Sequence, residues 1–284
     1  MKKILVPTDF STEAGNALHV AAYLAGRSGA QLHLLHVVDA SMGGGFSAMG
    51  QVQDYSMDDL FVLKLMEVNK KRLHDLAEGL HAQGVANVTY DIKVGQIFSI
   101  LTGQAEAQGA DLVVMGTKGS SGLAELLVGS NTERIVRLSR VPVLSVRNAP
   151  AGFAIKTIVF ASNFEADQLP AVSRLKSLQE LFGARVHLVY VNVPNRFANS
   201  RVIRDRMQEY VNRYGVRDYQ FTIYNDESEE QGIVHFADEV GADLIAVATH
   251  GRTGLAHLLS GSIAEDVVNH ANRPVLTINL KGTE

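Results

Sequence analysis

The chain has 284 residues, of which 46% are hydrophobic and 20% charged, and its formal net charge is −4. This composition is typical of a globular protein with a real core, and the absence of a long basic block argues against nucleic acid as a partner. The chain has no cysteine, which excludes disulfides, thiolate catalysis and cysteine-based zinc sites.

The apolar runs of the chain are all short. Pro7 and Asp9 interrupt the first of them after a few residues, which is too early for a signal peptide. No run reaches the roughly 18 apolar residues that a membrane span needs. We therefore expect a cytoplasmic protein without membrane insertion.

Short runs rich in valine, isoleucine and leucine alternate along the chain with amphipathic stretches of helical period. Runs that are apolar on both faces are typical of strands in a parallel sheet covered by helices. In the first half the pattern predicts strands at 3–8, 31–38, 87–93, 111–116 and 142–147, and helices at 12–28, 58–83, 96–108 and 131–140. In the second half it predicts strands at 155–161, 185–192, 219–224, 243–248 and 274–279, and helices at 165–182, 200–214, 229–240 and 262–271. This alternation predicts right-handed βαβ crossovers and doubly wound α/β domains.

The chain contains the same unit twice. Residues 4–10 match 158–164 at an offset of 154, and residues 109–112 match 241–244 at an offset of 132. The length of the chain also favours two domains.

The repeat predicts one domain over residues 1–148 and a second over 153–284, joined by a short linker. The second copy is 22 residues shorter, and we place the missing residues in the region 39–60. That region of the first copy holds the glycine-rich run 41–46, which is typical of a mobile loop.

The most informative stretch follows the fourth predicted strand. Gly116 and Gly119 lie three residues apart, and Gly129 and Ser130 then open the next predicted helix. Glycine lets the backbone approach a ligand closely, and the N–H groups at a helix start attract anions, phosphate above all. The stretch therefore predicts a phosphate-binding loop.

Ligands of open α/β sheets bind at the carboxyl ends of the strands, where the strand order reverses. If the first and fourth strands are neighbours, Thr8 and Asp9 meet the glycine loop at such a crevice. Asp9 would then accept hydrogen bonds from an adenine amino group or a ribose hydroxyl, and Val37 and Met115 would form an apolar wall for the base. The amides of Gly129, Ser130 and Asn131 would bind the phosphates, and Lys118 would add a positive charge near the terminal ones.

Three features together resemble the universal stress protein family. They are Pro-Thr-Asp-Phe at 7–10, His-Val-Val-Asp at 36–39, and Met-Gly-x2-Gly-x9-Gly-Ser at 115–130. The resemblance spans essentially the whole chain as a tandem pair. It implies two five-stranded parallel α/β domains of flavodoxin or Rossmann type, which would pair through their last strands as an intramolecular pseudo-dimer.

The resemblance also implies a ligand, since family members with the full glycine motif bind ATP. Three questions stay open. They are whether two chains associate as a further homodimer, whether Mg²⁺ or Mn²⁺ accompanies the nucleotide, and whether the ligand is ATP, AMP or a cyclic nucleotide. Carrying the family's binding positions onto this chain gives Pro7, Asp9, Val37, Met115, Gly116, Gly119, Gly129 and Ser130.

Simpler interpretations exist for several of these residues. Ser130 and Glu133 form the pattern S-x-x-E, which predicts a capping box with Ser130 as the helix cap, whether or not it also contacts phosphate. Ser262 and Glu265 repeat this pattern. Asp9 would alternatively order the turn into the first helix, and the glycines would alternatively only shape a turn.

The second copy departs from the motif at three positions. Pro7 is replaced by Ala161, Asp9 by Asn163 and Gly116 by Ala248, whereas Gly251, Gly261 and Ser262 remain. We therefore expect nucleotide mainly in the first domain, with the second as a structural or regulatory partner. His250, which aligns with Lys118, is either a pH or phosphate sensor or, more simply, a solvated loop residue.

No G-x-x-x-x-G-K-[ST] or G-x-S-x-G pattern occurs, and no water-activating base with a positioned partner can be assigned. His33, His36 and His187 are interpreted as strand residues and not as metal ligands. The leading hypothesis is an ATP-binding regulatory stress protein whose occupancy orders the loop 39–57 and changes the surface for an unidentified protein partner. The alternatives are a slow ATPase or transferase, and a nucleotide-free scaffold.

Overall fold

The computed structural model describes residues 1–39, 57–117, 129–150, 152–165, 168–249 and 263–280. The described part of the first half contains β1 (Lys3–Pro7), α1 (Thr12–Ser28), β2 (Gln31–Asp39), α2 (Met57–Ala82), β3 (Val88–Gly95), α3 (Ile97–Ala107), β4 (Leu112–Gly116), α4 (Ser130–Leu138) and β5 (Val143–Val146). That of the second half contains β6 (Thr157–Ala161), α5 (Leu169–Phe182), β7 (Arg185–Asn192), a 3₁₀ turn at Pro194–Arg196, α6 (Ser200–Tyr214), β8 (Tyr219–Asn225), α7 (Glu229–Glu239), β9 (Leu244–Thr249), α8 (Ile263–His270) and β10 (Val275–Asn279).

Helix α1 shows how local sequence sets these elements. Ser11 caps its start by accepting a hydrogen bond from the N–H of Ala14, and Gly29 ends it with a left-handed φ of 70°. Both are preferred residues at those positions. Between them, small and branched apolar residues share one buried face, whose members are Ala14, Ala17, Leu18, Val20, Ala21, Leu24 and Ala25.

The predicted elements are confirmed in type and order, and one detail is wrong. Helix α5 begins at Leu169 and not at 165. Helix α6 has 15 residues where α2 has 26, so the helix after the second strand is shorter in the second half. The predicted mobile run 41–46 lies outside the described residues.

All ten strands form one continuous sheet in the order β3-β2-β1-β4-β5-β10-β9-β6-β7-β8. Pairing is parallel within each half, and β5 and β10 join the halves in antiparallel register, with Leu144 opposite Leu276. The predicted pseudo-dimer through the last strands is therefore confirmed. In each half the strand order reverses between the first and fourth strands, β1 and β4 or β6 and β9.

A hydrophobic cluster covers each face of the sheet. Helices α1, α2, α5 and α6 contribute to one cluster, and α3, α4, α7 and α8 to the other. Since both clusters include residues of both halves, the two domains share their packing across the seam. Helices on both faces of a mainly parallel sheet confirm the doubly wound fold.

Polar and aromatic contacts add to this seam. Tyr23 of α1 stacks on Phe182 of α5 with ring centroids 5.5 Å apart, and it meets the ring of Phe153 edge-on. Arg147 Nη2 donates a hydrogen bond of 2.8 Å to the carbonyl oxygen of Asn269 in α8. Among the described helices, none combines the length and apolar character that crossing a membrane would require.

Candidate functional site

The crevice predicted between the first and fourth strands exists in the first half. Strand β1 pairs with β2 on one side and with β4 on the other, and Ile4 and Leu5 lie opposite Leu112 and Val113. The carboxyl ends of β1 and β4 therefore lie side by side, which brings Pro7, Thr8 and Asp9 next to the end of β4 at Met115 and Gly116. This edge of the sheet is where open α/β folds bind ligands.

The turn that leaves β1 is tightly ordered. Thr8 is buried, its N–H donates to the carbonyl oxygen of Leu35 (2.9 Å), and its Oγ1 accepts from the N–H of Phe10 (3.0 Å). Asp9 Oδ1 accepts from both the N–H (3.0 Å) and the hydroxyl (2.6 Å) of Ser11. Asp9 therefore orders the turn into α1. Its part in ligand binding stays a prediction.

Phe10 completes this turn with a left-handed backbone, φ 64°. Its ring packs against the ring of His36, with centroids 4.8 Å apart. The guanidinium carbon of Arg72, a residue of α2, lies 3.9 Å from the centroid of the Phe10 ring. The turn is therefore held from one side by helix α2.

His36 links the turn to α2 directly, a role that the sequence interpretation missed. Its Nδ1 donates to the carbonyl oxygen of Thr8 (2.8 Å), and its Nε2 accepts from Asn69 Nδ2 (3.0 Å). Burial lowers the pKa of His36, and nearby Arg72 acts in the same direction while the Thr8 carbonyl and Asp9 oppose it. The neutral ring with its proton on Nδ1 satisfies both hydrogen bonds.

Gly116 ends β4 against the first turn of α1. A Cβ at this position would lie 2.8 Å from the carbonyl carbon and 2.9 Å from the carbonyl oxygen of Glu13. These contacts are with backbone, which cannot move aside as a flexible side chain could. Glycine is therefore required here by the approach of a helix, whether or not a ligand also approaches.

The start of α4 differs from the predicted capping box. Gly129 is the N-cap, no side chain caps the helix, and Ser130 is its first helical residue with an exposed side chain. Gly129 takes the capping position because both of its main-chain polar groups are bonded there. Its N–H donates to the carbonyl oxygen of Thr117 (2.8 Å), and its carbonyl oxygen accepts from the N–H of Glu133 (3.1 Å). Capping by Ser130 is wrong, and the equivalent Ser262 lies outside the described residues.

Further contacts tie the start of α4 to the end of β4. Thr132 Oγ1 donates to the carbonyl oxygen of Gly116 (3.0 Å). Thr117 is buried, and its hydroxyl has no hydrogen-bond partner among the described residues. The amides of Ser130 and Asn131 belong to the first helical turn, where N–H groups lack an acceptor within the helix.

The remaining predicted residues divide into two groups. Val37 and Met115 pack in the cluster that also contains Leu5 and Leu35, and Met115 is buried while Val37 is half-buried. Lys118 and Gly119 lie outside the described residues. The structure thus brings Pro7, Thr8, Asp9, Val37, Met115, Gly116, Gly129, Ser130 and Asn131 to one edge of the first half.

The second half repeats the turn. Ser162 N–H donates to the carbonyl oxygen of Val189 (3.2 Å), Phe164 N–H donates to Ser162 Oγ (2.9 Å), and Glu165 N–H donates to Asn163 Oδ1 (3.2 Å). Phe164, like Phe10, has a left-handed backbone. The two turns are therefore the same structure built from different residues.

A buried glutamine distinguishes the second turn. Gln168 Nε2 donates to Asn163 Oδ1 (3.0 Å), and its Oε1 accepts from Ser162 Oγ (2.7 Å) and from the hydroxyl of Tyr210 (3.1 Å). The side chain is 2% exposed. The position of Asp9 is thus occupied in the second half by an asparagine that already binds an amide.

The late start of α5 accompanies this arrangement. The counterpart of Ala14 is Gln168, which precedes the helix and does not belong to it. The backbone of the first helical turn crowds Gly116 in the first half. In the second half the position of Gly116 is taken by Ala248, and the residue that matches Glu13 lies outside the described residues.

The histidines predicted as strand residues lie in strands. His33 Nδ1 contacts Thr89 Oγ1 (2.9 Å), and its Nε2 accepts from Gln108 Nε2 (3.0 Å). Burial lowers the pKa of His33 and of His187. Within the part of the chain that the structure describes, no group of three or more histidine or acidic side chains is placed to hold a metal ion. His250 lies outside that part.

Comparison with known proteins agrees with this architecture. The model of the universal stress protein family matches the chain twice, at residues 1–147 and 154–279. The chain belongs to the universal stress protein family. The Synechocystis universal stress protein Slr1230 is 24% identical over 98% of this chain and 99% of its own length.

Two other relatives resemble one or both halves. The universal stress protein MJ0577 of Methanocaldococcus jannaschii is 33% identical over 51% of this chain and 94% of its own length. A universal stress protein of Archaeoglobus fulgidus, solved by crystallography, superimposes on 98% of this chain and of its own with a TM-score of 0.76 and 18% identity. The second similarity shows the tandem fold alone.

Proposed function

We propose that this protein is an ATP-binding regulatory member of the stress protein family, with one nucleotide site in the first domain. The site lies at the carboxyl ends of β1 and β4, where the Asp9 turn and the first amides of α4 converge. A carboxylate on one side and, on the other, helical N–H groups that have no acceptor within the helix suit an adenosine and its phosphates respectively.

The observation that carries this proposal is the difference between two turns of the same structure. Asp9 is a carboxylate, whereas its counterpart Asn163 is an uncharged amide whose oxygen accepts a hydrogen bond from the buried Gln168 of its own half. The second domain, over 153–284, then serves as the structural or regulatory partner of the first, over 1–148.

Thr117 gives a second, independent support. A buried hydroxyl without a partner costs free energy unless something satisfies it. It lies at the point where β4 leads into the glycine loop, between Gly116 and the anchored Gly129. A ligand in the crevice would supply the missing acceptor or donor, which is consistent with ATP there.

The substitution Asp9→Asn separates the two roles of Asp9. Asparagine keeps an oxygen for the hydrogen bonds from Ser11 and replaces the second carboxylate oxygen with an NH₂ group, which cannot accept. We expect isothermal titration calorimetry to give one ATP per chain for the natural protein and an affinity weakened about tenfold or more in Asp9→Asn, since hydrogen bonds to charged groups contribute about 1.5–3 kcal/mol.

The matched control is Asp205→Asn, which removes the same charge from an exposed position of α6 and should leave ATP affinity unchanged. Equal affinity in Asp9→Asn and the natural protein would contradict the site. Two ATP molecules per chain would contradict the division of roles, and no ATP binding at all would leave the nucleotide-free scaffold. Phosphate release above that of Asp9→Asn would instead identify a slow ATPase.

A further inference from the structure

A cavity lies at the seam between the halves, at the opposite edge of the first domain's sheet from the proposed nucleotide site. Its volume is ≈ 330 Å³, which falls in the range of small-molecule sites. Arg140 and Pro142 line it from the first half, where they precede β5. Ser173, Arg174 and Ser177 line it from α5, and Asn279 lines it from the end of β10.

The charge of this cavity is positive. Arg174 is half-buried, and its Nη2 donates to the main-chain oxygen of Asp111 (2.8 Å). Burial lowers the pKa of Arg174, and the Asp111 carboxylate partly opposes that effect. This carboxylate accepts hydrogen bonds from the main-chain N–H groups of Lys2 and Lys3. It is thus shared with backbone groups and does not form a salt bridge with Arg174.

The second arginine is also weakly neutralised. Arg140 is exposed, and its Nε lies 3.9 Å from Glu106 Oε1, which is itself half-exposed. A surface pair at this distance contributes little. Arg140 and Arg174 are the charged residues among those that line the cavity, and no carboxylate is among them.

Hydroxyl and amide groups complete the lining. Ser177 Oγ donates to the main-chain oxygen of Ser173 (2.9 Å) and can still accept. Ser173 lines the cavity from α5, and Asn279, whose Nδ2 donates to the main-chain oxygen of Ser139 (3.3 Å), lines it from β10. Guanidinium forks with nearby hydroxyls are the groups that proteins use for phosphate and carboxylate.

We propose that this cavity binds a small oxyanion, the phosphate or carboxylate group of a small metabolite. Such a ligand contacts Arg140 of the first half and Arg174 of the second, and it therefore stabilises the seam between the domains.

The two arginines of this cavity have no arginine at the matching positions of the other half. The counterpart of Arg174 in the first half is Val20, and the counterpart of Arg140 in the second half is Asn272. Val20 is fully buried in the core. The two arginines therefore occur at one end of the seam only, and the cavity is not a second copy of the crevice between the first and fourth strands.

The test titrates nucleotide-free full-length protein with inorganic phosphate and, separately, with citrate at constant ionic strength. Thermal unfolding and calorimetry are the measurements. We expect saturable binding that weakens about tenfold in Arg140→Ala, whose side chain is exposed and whose loss does not threaten folding. Arg174→Met should weaken it at least as much. A response to phosphate alone identifies a phosphate site, and a response to citrate alone identifies a carboxylate site.

Arg201→Ala is the matched control, because it removes an exposed arginine from α6 and should leave binding unchanged. Inorganic phosphate can also enter the nucleotide crevice, so the loss in Arg140→Ala is the decisive result. Equal binding in Arg140→Ala and Arg201→Ala overturns the proposal, and so does the absence of saturable binding by either anion.

Discussion

Gly116 shows how a single residue of a binding motif also serves the fold. A side chain at this position would meet the main chain of Glu13 and Ala14 at 2.8 to 3.0 Å. Contacts this short force helix α1 away from β4. The glycine therefore holds the helix start and the strand end together, and this contact positions the Asp9 turn. For the same reason, a bulky residue at 116 is a poor probe of ligand binding, because it would disturb the whole crevice.

We expect Gly116→Ala to lower the free energy of unfolding by about 1–3 kcal/mol, as overpacked sites do. Urea unfolding followed by far-UV circular dichroism measures it. Gly15→Ala is the control, because Gly15 lies on the exposed side of the same helix with nothing within 4 Å of a Cβ. It should raise stability by about 0.5–1 kcal/mol, the difference in helix propensity. A neutral Gly116→Ala would show that α1 shifts at no cost.

At the residue scale, the sequence predicted where the motif residues lie in the fold better than it predicted their hydrogen-bond partners. Asp9 and Gly129 lie at the predicted edge because strand order and loop anchoring follow from the βαβ pattern. The partners of Asn163 could not be predicted. Gln168 belongs to no motif, and its counterpart in the first half is Ala14. Its hydrogen bonds with Ser162 and Asn163 therefore become visible only in the folded structure. The pattern S-x-x-E was also insufficient, because it does not show that the preceding Gly129 is the N-cap and that Ser130 is already the first helical residue.

At the scale of elements, the start of α5 distinguishes the two halves. Residues 165–168 continue the helical pattern in sequence, yet the helix begins at Leu169 with Pro170 in its first turn. Proline suits that place, because its missing N–H has no partner to lose there. The Gln168 side chain, just before the helix, donates one hydrogen bond to Asn163 and accepts one each from Ser162 and Tyr210. Type and order of elements follow from hydrophobic period, whereas such a boundary depends on tertiary hydrogen bonds.

We expect Gln168→Ala to destabilise the protein by about 1–3 kcal/mol, because it leaves the part-buried hydroxyl of Ser162 and the buried hydroxyl of Tyr210 without their acceptor. Urea unfolding measures the effect. Gln208→Ala, at an exposed site of α6, is the matched control and should change stability by no more than about 0.5 kcal/mol. If the two variants were equally stable, Gln168 would not support the second turn, and the proposed difference between the halves would lose its basis.

At the scale of the whole molecule, the antiparallel pair of β5 and β10 turns two domains into one folding unit. Leu144 and Leu276 face each other across this pair, and both are buried in the cluster that also contains Leu24 of α1 and Leu175 of α5. A continuous sheet leaves neither half with an exposed inner edge, which would otherwise invite pairing with other chains. Because the seam is part of the hydrophobic core and is not a surface contact, a destabilising substitution in either half should lower the stability of both.

Leu276→Ala tests this coupling, because Leu276 is 2% exposed and belongs to the second half. Removing its buried methyl groups should cost about 2–5 kcal/mol, and unfolding should remain a single transition. Hydrogen–deuterium exchange should then become faster in β1 and β2 of the first half as well as in β9. Leu169→Ala, which truncates a leucine that is 58% exposed in the same half, should leave exchange unchanged. Faster exchange confined to the second half would mean that the domains open independently, and that nucleotide in the first domain cannot stabilise the second through the sheet.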